Sequence, residues 1–439
     1  MQKIHWKAPK NWINDPNGFI YYKGKYHLFY QYFPYGTRWG TMHWGHAVSS
    51  DLVTWEEKEI ALFPSKYDDR NGCFSGSAVE HNGKLYLYYT GARYIEENPE
   101  DIHVSLNDNF VAAQMLITSE DGEHFDNYRD KRTIIPVLKE GGVGCPKHTR
   151  DPKVWRGKDA WYMILGSRRE KTHGEVLFYK STDLLHWEYV NRAESKTTFS
   201  WMWECPDYFH CDGTDILILS PIGVLEDGKG DANQAVCMLV KFDEQNCEMQ
   251  IPDDYSFLDY GMDLYAPQST LDADGRRVLI AWERMPESPD GNWIGMYCIP
   301  RVVTVKNGHV YFAPHPNIRA AYTGRIGSLK ETVDGNACIR LELKNTERLE
   351  IGGYQIWRED DRIYVDRSRV VRNHIKDCRT RLQTPEIREG NRLEIYVEPN
   401  LIEIYINDGE YVLSNVVYDL GNECRAECES EIEIFTIEK

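Results

Sequence analysis

The sequence predicts an all-β protein in which a five-bladed β-propeller is followed by a C-terminal β-sandwich. Three observations lead to this prediction. A strongly apolar strand recurs five times before about residue 300, and the tail that follows alternates between apolar and charged positions. Helical periodicity of useful length is nearly absent, while β-rich runs bounded by Gly, Asp and Asn are frequent.

The recurrent strand is led by Gly or Asp and is followed, in its first three copies, by a second element. Its five copies are GKYHLFYQY from Gly24, GKLYLYYTG from Gly83, KDAWYMILGS from Lys158, GTDILILSPI from Gly213 and GRRVLIAWER from Gly275. The second element, at residues 49–56, 118–125 and 181–188, indicates an outer hairpin with an Asp turn and a Trp or Phe. Five such units of about four strands each predict five propeller blades.

The C-terminal part has a different pattern, in which apolar and charged residues alternate strictly. The clearest runs are CIRLELK at 338–344, RLEIYVE at 392–398, LIEIYIN at 401–407 and EIEIFTIE at 431–438. One apolar face per strand is typical of antiparallel sheets packed on one side, which predicts a β-sandwich. The predicted domains are therefore a propeller over 1–315 and a sandwich over 326–439, joined by a short linker at 316–325.

Composition and charge exclude several classes of partner. The net charge of −18 disfavours nucleic acid and anionic membranes. No run reaches the roughly 18 apolar residues of a membrane span, and the N-terminal residues contain no apolar stretch of signal-peptide length. The eleven cysteines are odd in number and irregularly spaced, which favours reduced thiols over a disulfide framework. A cytoplasmic protein is the resulting expectation.

Acidic and polar residues precede each of the five recurrent strands. The segments are WINDPNG, CFSGSA, HTRDPKVW, MWECPDYF and MDLYAPQS. Because the innermost strand of each blade lines the central channel, we expect these segments to converge at one end of it, although they are distant in sequence. The residues brought together would be Asp15, Ser75, Arg150, Asp151, Glu204, Asp207 and Asp263.

Several carboxylates around one funnel repel each other, so a purely structural role for the set is unfavourable. Glycoside hydrolysis uses two such groups across the scissile bond, one to protonate the leaving oxygen and one to attack the anomeric carbon or to activate water. Aromatic side chains stack on sugar faces, and aromatic residues make up 13% of this chain. This chemistry needs neither a cofactor nor a metal, and none is predicted.

The same motifs, in this order and spacing, resemble glycoside hydrolase family 32, the β-fructofuranosidases. FYQYFP, WGTMHWGHAVSSDLVTWE, CFSGSAV and DLYAPQS extend the resemblance over the whole chain. It implies that Asp15 is the nucleophile, Glu204 the acid/base and Asp151 the transition-state stabiliser. The resemblance also implies a fructose pocket shaped by Asn14, Gln31, Trp39, Ser75, Arg150 and Asp263.

The function expected from this resemblance is retaining hydrolysis of sucrose, sucrose 6-phosphate or short fructo-oligosaccharides, which releases fructose through a covalent fructosyl-enzyme intermediate. Two alternatives remain open at this stage. A fructosyltransferase would use the same three acids and pass fructose to a sugar, and a non-catalytic carbohydrate-binding propeller would keep only the shape.

Two further expectations concern metals and partners. His43 and His46 are three residues apart on a predicted strand and would face opposite sides of it, so a zinc site there is disfavoured. The expected ligand is a small fructoside, and a homodimer through the sandwich is a further hypothesis.

Overall fold

The computed structural model describes residues 2–197, 199–225, 231–387 and 390–437 of the chain. It consists almost entirely of antiparallel strands, arranged as five propeller sheets and two sandwich sheets. The predicted fold class is therefore confirmed. Among the described residues, none of the helices has the length and apolar character needed to cross a bilayer.

The strands of the propeller follow one another blade by blade along the chain. Blade I contains β1 (Gln2–Lys3), β2 (Asn11–Tyr22), β3 (Lys25–Phe33), β4 (His43–Ser49) and β5 (Thr54–Glu57). Blade II contains β6 (Gly72–His81), β7 (Lys84–Tyr94), β8 (Phe110–Ser119) and β9 (Arg132–Ile135), with a short 3-10 helix at Leu106–Asp108. Blade III contains β10 (Arg150–Arg156), β11 (Trp161–Arg169), β12 (His173–Ser181) and β13 (Glu188–Ala193).

The last two blades carry additional short strands. Blade IV contains β14 (Met202–Cys211), β15 (Thr214–Ile222), β16 (Val236–Asp243), β17 (Glu248–Gln250) and β18 (Ser256–Phe257). Blade V contains β19 (Leu264–Leu271), β20 (Arg277–Glu283), β22 (Met296–Tyr297), β23 (Arg301–Lys306) and β24 (His309–Pro314). Strand β21 (Trp293–Ile294) leaves blade V and pairs in parallel with the start of β2, so it closes the ring onto blade I.

The glycines that lead the recurrent strands have a conformational cause. In blades I and II the hairpin between the first two strands is a two-residue turn, at Lys23–Gly24 and Asn82–Gly83. Both residues of each turn have positive φ, 48° and 80° in the first and 53° and 77° in the second. This is the type I′ geometry, whose twist matches that of the flanking strands and whose second position favours Gly.

The Asp turns of the second element are also hydrogen-bonded hairpin corners. In blade I the Oδ1 atom of Asp51 accepts the backbone N–H groups of Val53 and Thr54, both at 2.8 Å. Asp121 and Asp183 make the equivalent pairs of bonds in blades II and III. The side chain satisfies backbone donors that the turn leaves without partners, which explains why Asp recurs there.

Adjacent blades are held together by large side chains from both. Phe29 and Trp44 of blade I pack with Leu87 and Tyr89 of blade II, and all four are fully buried. Burial of an aromatic or aliphatic side chain of this kind contributes about 2–3 kcal/mol relative to exposure. The blade-to-blade packing therefore gives a rigid frame whose innermost strands surround the channel.

The sandwich begins after a one-and-a-half-turn helix, α1 (Pro316–Ala321), which starts at Pro316 and is capped by His315. One sheet has the order β25-β35-β26-β31-β32-β33, with strands at Tyr322–Arg325, Glu433–Ile437, Ala337–Glu342, Arg392–Glu398, Leu401–Ile406 and Tyr411–Val416. The other has the order β30-β29-β28-β27-β34, with strands at Arg381–Gln383, Arg362–Asp366, Tyr354–Glu359, Arg348–Ile351 and Cys424–Glu427. A second 3-10 helix covers Leu329–Asp334.

The propeller and the sandwich share a buried polar interface. Arg301 of blade V is fully buried and lies 3.0 Å from Glu403 and 2.9 Å from Asp259. The same guanidinium donates a hydrogen bond of 2.8 Å to Ser414. Because a buried cation needs such partners, these contacts fix the sandwich against blade V.

Candidate active site

Each innermost strand is interrupted by a register shift at the same end of the channel. In blade I the shift spans Asn14 and Asp15, and in blade II it falls at Ser75. In blades III, IV and V the residues in the bulge are Asp151–Pro152, Cys205–Pro206 and Ala266–Pro267. A β-bulge bends its strand and re-aims a side chain, so the fold directs these residues together toward the channel.

Three of the bulges hold a residue other than glycine in a left-handed conformation. The φ angles are 63° at Asp151, 46° at Cys205 and 49° at Ala266. Backbone strain of this kind costs about 1–3 kcal/mol per residue and persists only where neighbours enforce it. Hydroxyl groups do so here, since Thr90 accepts the N–H of Asp151 at 2.9 Å and Ser220 accepts that of Ala266 at 3.1 Å.

The carboxylate of Asp15 is held by donors on both of its oxygens. Ser75 donates to Oδ2 at 2.6 Å, and the side-chain amide of Asn14 donates to Oδ1 at 3.1 Å. Burial raises the pKa of Asp15, and the negative charge of Glu204 adds to this, while the bonds from Ser75 and Asn14 act in the opposite direction. The result is an oriented carboxylate that is more basic than an ordinary aspartate.

Asp151 lies beside Asp15 and is connected to it through a thiol. The backbone N–H of Cys205 donates to Oδ2 of Asp151 at 2.9 Å, and the Cys205 Sγ atom lies 3.5 Å from Oδ2 of Asp15 and 3.6 Å from Oδ2 of Asp151. Burial raises the pKa of Asp151 to about 7, with Glu204 and Asp15 adding to the rise and Arg150 opposing it.

Glu204 is the third acid, and each of its two carboxylate oxygens has a hydrogen-bond partner. Arg150 lies 2.5 Å from its Oε1 atom, and the Tyr265 hydroxyl donates to Oε2 at 2.7 Å. Its side chain is 20% exposed, against 6% for that of Asp151. The Glu204 carboxylate is therefore the more accessible of the two.

The remaining predicted pocket residues are placed in different ways. The Gln31 side chain is buried and donates to the carbonyl oxygen of Cys73 at 2.9 Å. Trp39 is 38% exposed, and its ring lies 5.8 Å from that of Phe74, the residue before Ser75. Both side chains therefore border the strand that carries Ser75.

Asp263 and Asp207 are two predicted acids that pair with basic side chains outside the network of Asp15, Asp151 and Glu204. Both carboxylate oxygens of Asp263 pair with Arg367 of the sandwich, and one of them also accepts the N–H of Val416. Asp207 lies past the bulge of its strand, where its Oδ1 atom is 2.9 Å from the Lys153 ammonium group. Asp263 contributes to the domain interface, and Asp207 to a buried ion pair inside the channel.

Sequence reasoning missed two contributors. Tyr265 stands two residues after Asp263 in the same DLYAPQS motif, yet it is Tyr265 that reaches Glu204. Cys205 follows Glu204 in MWECPDYF and was not predicted as a site residue, yet it contacts both aspartates. Both residues lie at a bulge, within motifs that the sequence analysis had already singled out. The register shift that decides which side chain faces the channel, however, is not visible in a sequence.

One group of residues in the described part of the chain has the spacing of a metal site, and it contains none of the three acids. Glu283, Cys298 and Glu403 lie together, but the buried Arg301 guanidinium is 3.7 Å from Glu283 and 3.0 Å from Glu403. The positive charge of Arg301 therefore already compensates the charge of these carboxylates, as a bound metal ion would.

Comparison with protein families identifies the chain. The model for the glycosyl hydrolases family 32 N-terminal domain matches residues 5–315, and the model for the family 32 C-terminal domain matches residues 329–438. The chain belongs to glycosyl hydrolase family 32.

Relatives of this family 32 protein include the sucrose-6-phosphate hydrolase of Bacillus subtilis, 33% identical over 94% of this chain and 88% of the relative. The raffinose invertase of Escherichia coli is 33% identical over 94% of this chain and 89% of its own length. Among solved structures, a family 32 β-fructofuranosidase of Bombyx mori is 29% identical, with a TM-score of 0.84, and the match covers 99% of this chain and 94% of that one.

These comparisons confirm the predicted family and the predicted class of enzyme, a glycoside hydrolase. They also agree with the fold, since the sucrose-6-phosphate hydrolase of Lactobacillus gasseri superimposes with a TM-score of 0.87 at 23% identity, over 100% of this chain and 93% of that one.

Proposed function

We propose that the chain is a retaining β-fructofuranosidase that releases fructose from sucrose, sucrose 6-phosphate or short fructo-oligosaccharides. The observation that carries the proposal is the placement of Asp15 and Glu204 in separate blades, with Asp151 connected to both through Cys205 and Arg150. The names of the relatives support it, and a mutant of the Bombyx mori enzyme has been solved in complex with sucrose.

In the first step, Asp15 attacks the anomeric carbon of the fructosyl unit while Glu204 gives its proton to the glycosidic oxygen. The bond from that carbon to the leaving oxygen breaks, and an ester to Asp15 forms. Ser75 and Asn14 keep the Asp15 carboxylate in one orientation, which lowers the entropic cost of the attack.

Glu204 must be held in both of its protonation states, and Tyr265 can do this. Its single O–H faces two acceptors, Oε2 of Glu204 at 2.7 Å and the carbonyl oxygen of Ser220 at 2.8 Å. When Glu204 is ionised, Tyr265 donates to it. When Glu204 is protonated, Tyr265 can donate to Ser220 and accept from Glu204, so the side chain stays in place.

In the second step, Glu204 takes a proton from water, which attacks the ester and frees Asp15. Asp151 does not form a bond to the sugar in this scheme. Its ionised carboxylate accepts hydrogen bonds from fructose hydroxyls, and these bonds strengthen as positive charge develops on the ring. Arg150 opposes the rise in the pKa of Asp151 and so favours the ionised form that this role needs.

The test is hydrolysis of sucrose and of sucrose 6-phosphate by the purified protein, with Asp15→Ala as the blank. A second arm uses Glu204→Ala with added azide, a nucleophile that needs no general base. Azide should restore turnover of an activated fructoside and give a fructosyl azide of retained configuration. An inverted product, or full activity of the Asp15→Ala variant, would refute the double-displacement scheme, and product analysis at high sucrose separates hydrolysis from fructosyl transfer.

Two finer points also belong to this proposal. A reducing, cytoplasmic location is supported by the eleven cysteines, all of which are free thiols in the structure. A homodimer through the sandwich is the second, and light scattering of the purified protein would test it.

A further inference from the structure

No step of the mechanism uses His148, although it belongs to the HTRDPKVW motif. Its side chain is buried, and it stands two residues before Arg150, the first residue of β10. The Nη1 atom of Arg150 lies 3.1 Å from Nδ1 of His148. A buried histidine is therefore in hydrogen-bond contact with the cation of the active site.

The contact with Arg150 determines the protonation of His148. Because a guanidinium has only donors, Arg150 donates and Nδ1 of His148 accepts, so the single proton of the neutral ring is on Nε2. A charged imidazolium would lose this acceptor and repel the guanidinium. Burial and three nearby cations lower the pKa of His148 to about 2. The cations are Arg150, Arg168 and Lys147. His148 is therefore a neutral acceptor at neutral and at mildly acidic pH.

The other end of the same guanidinium reaches Glu204. The Nη2 atom of Arg150 lies 2.5 Å from Oε1 of Glu204, whereas its Nε atom lies 3.9 Å from Oδ2 of Asp151, beyond hydrogen-bond distance. Two carboxylates thus compete for one cation. Since the guanidinium is planar and rigid, a contact that fixes the direction of Nη1 also fixes the direction of Nη2. The acceptor on His148 therefore favours the orientation in which Arg150 bonds to Glu204.

The ring and the backbone of this segment are themselves held in place. The rings of His148 and Trp201 meet edge to face, with their centres 5.4 Å apart and their planes at 87°. The N–H of the next residue, Thr149, donates to the carbonyl oxygen of Cys145 at 3.0 Å, and its own carbonyl oxygen accepts from Gln114 at 3.0 Å. A short side chain fixed in this way can orient a neighbouring arginine, whose long side chain has much more rotamer freedom.

We propose that His148 is a positioning residue, which holds the Arg150 guanidinium in the orientation that bonds to Glu204. Without this acceptor, Arg150 can turn toward Asp151, and Oε1 of Glu204 loses its partner. The inference rests on the proposed function, since it takes Glu204 as the acid/base. It extends the support of proton transfer to a residue that acts only through Arg150.

The first test separates the acceptor of His148 from its bulk. His148→Leu keeps most of the volume and removes the acceptor, whereas His148→Asn keeps an acceptor close to the position of Nδ1 and removes most of the ring. We expect kcat/KM on sucrose to fall about tenfold or more in His148→Leu and to stay within about threefold of the unmodified enzyme in His148→Asn. Equal activity of the two variants, or a larger loss in His148→Asn, would show that the ring acts through packing alone and would overturn the proposal.

The second test asks whether the loss arises at proton transfer to the leaving group. The fluoride ion of β-D-fructofuranosyl fluoride departs with little need of a proton, so the loss of kcat/KM in His148→Leu should be at least about fivefold smaller on this substrate than on sucrose. The matched control is His210→Leu, at an exposed histidine that pairs with Asp215 on blade IV, and it should leave both values unchanged. A loss of the same size on both substrates in His148→Leu would place the effect outside proton transfer and would refute the role given to His148.

A measurement without substrate separates failure of this inference from failure of the proposed function. Nitrogen-15 NMR of the imidazole distinguishes the two tautomers and the charged form, and the signals of His148 are those missing from His148→Asn. At pH 5 the ring should be neutral with its proton on Nε2, and Arg150→Met should shift the Nδ1 signal. A charged ring, a proton on Nδ1 or an unmoved signal would refute the inference even if sucrose is hydrolysed. If the unmodified protein hydrolyses neither fructoside, the proposed function fails, and the NMR result still decides whether His148 holds Arg150.

Discussion

The contact between His5 and the sandwich should make the stability of this enzyme depend on pH in the alkaline range. His5 is fully buried, and its two ring nitrogens lie 2.6 Å from Glu398 and 3.2 Å from Glu403. Burial by itself lowers the pKa of His5, but the two carboxylates outweigh it and raise the pKa to about 9. The N-terminal segment is therefore held to the sandwich by a charged imidazolium.

The magnitude follows from linkage between protonation and folding. A pKa raised from 6.5 in the unfolded chain to about 9 in the folded protein corresponds to about 3 kcal/mol of stability. Because the folded pKa is the higher one, this stability is present in full below pH 6.5 and is lost as the pH rises through 9. The pKa of Glu398 is lowered to about 2, in part by the same contact with His5. Its contribution is therefore not added to the stability calculated from His5.

The measurement is urea-induced unfolding of the reduced protein between pH 6 and pH 9.5, compared with His5→Gln. At pH 6 the variant should be less stable by about 3 kcal/mol, and the pH-dependent part of the difference should fall below about 1 kcal/mol at pH 9.5. His186→Gln is the control, since His186 also pairs with a carboxylate, at 2.7 Å from Asp183, but on an exposed turn. A difference between enzyme and His5→Gln that stays constant with pH would refute the reasoning.

Three further predictions concern the site and its support. Burial raises the pKa of Asp15 and the bond from Ser75 offsets part of the rise, so Ser75→Ala should move the acid limb of kcat/KM to higher pH; an unmoved limb would contradict this. Tyr265→Phe removes a donor to Glu204, the proposed acid/base, and should lower kcat/KM about tenfold with little change in unfolding midpoint. Arg367→Met strands the buried Asp263 carboxylate and should destabilise the protein by about 3–5 kcal/mol in urea unfolding, whereas a loss below about 1 kcal/mol would show that water replaces the guanidinium.

The blades could be predicted because their signals are local. A two-residue turn such as Lys23–Gly24 needs Gly at a position of positive φ, and the strand that follows it is rich in aromatic and aliphatic residues, so the unit can be recognised each time it recurs. The three acids were predictable for a related reason. Each stands within about ten residues before such a strand, and radial symmetry places the starts of the innermost strands together.

Long-range pairing was not predictable in the same way. The contact between Asp263 and Arg367 joins residues 104 positions apart in two domains, and a sequence does not indicate which acid before blade V will find a sandwich partner. Local patterns predicted the frame and the acids, while side-chain partners across the domain interface required the structure.

The prolines of blades III, IV and V explain how buried bulges are tolerated beside charged groups. A bulge takes a residue out of the strand ladder, and a buried backbone N–H without an acceptor costs free energy. In these three blades the second bulge residue is Pro152, Pro206 or Pro267, each buried and each lacking that N–H. Blade II has Gly76 after its bulge, and there the N–H is satisfied by the side chain of Asn17 at 3.2 Å. Proline thus removes the donor that the bulge would orphan, which leaves the preceding residue free to direct a functional side chain into the channel.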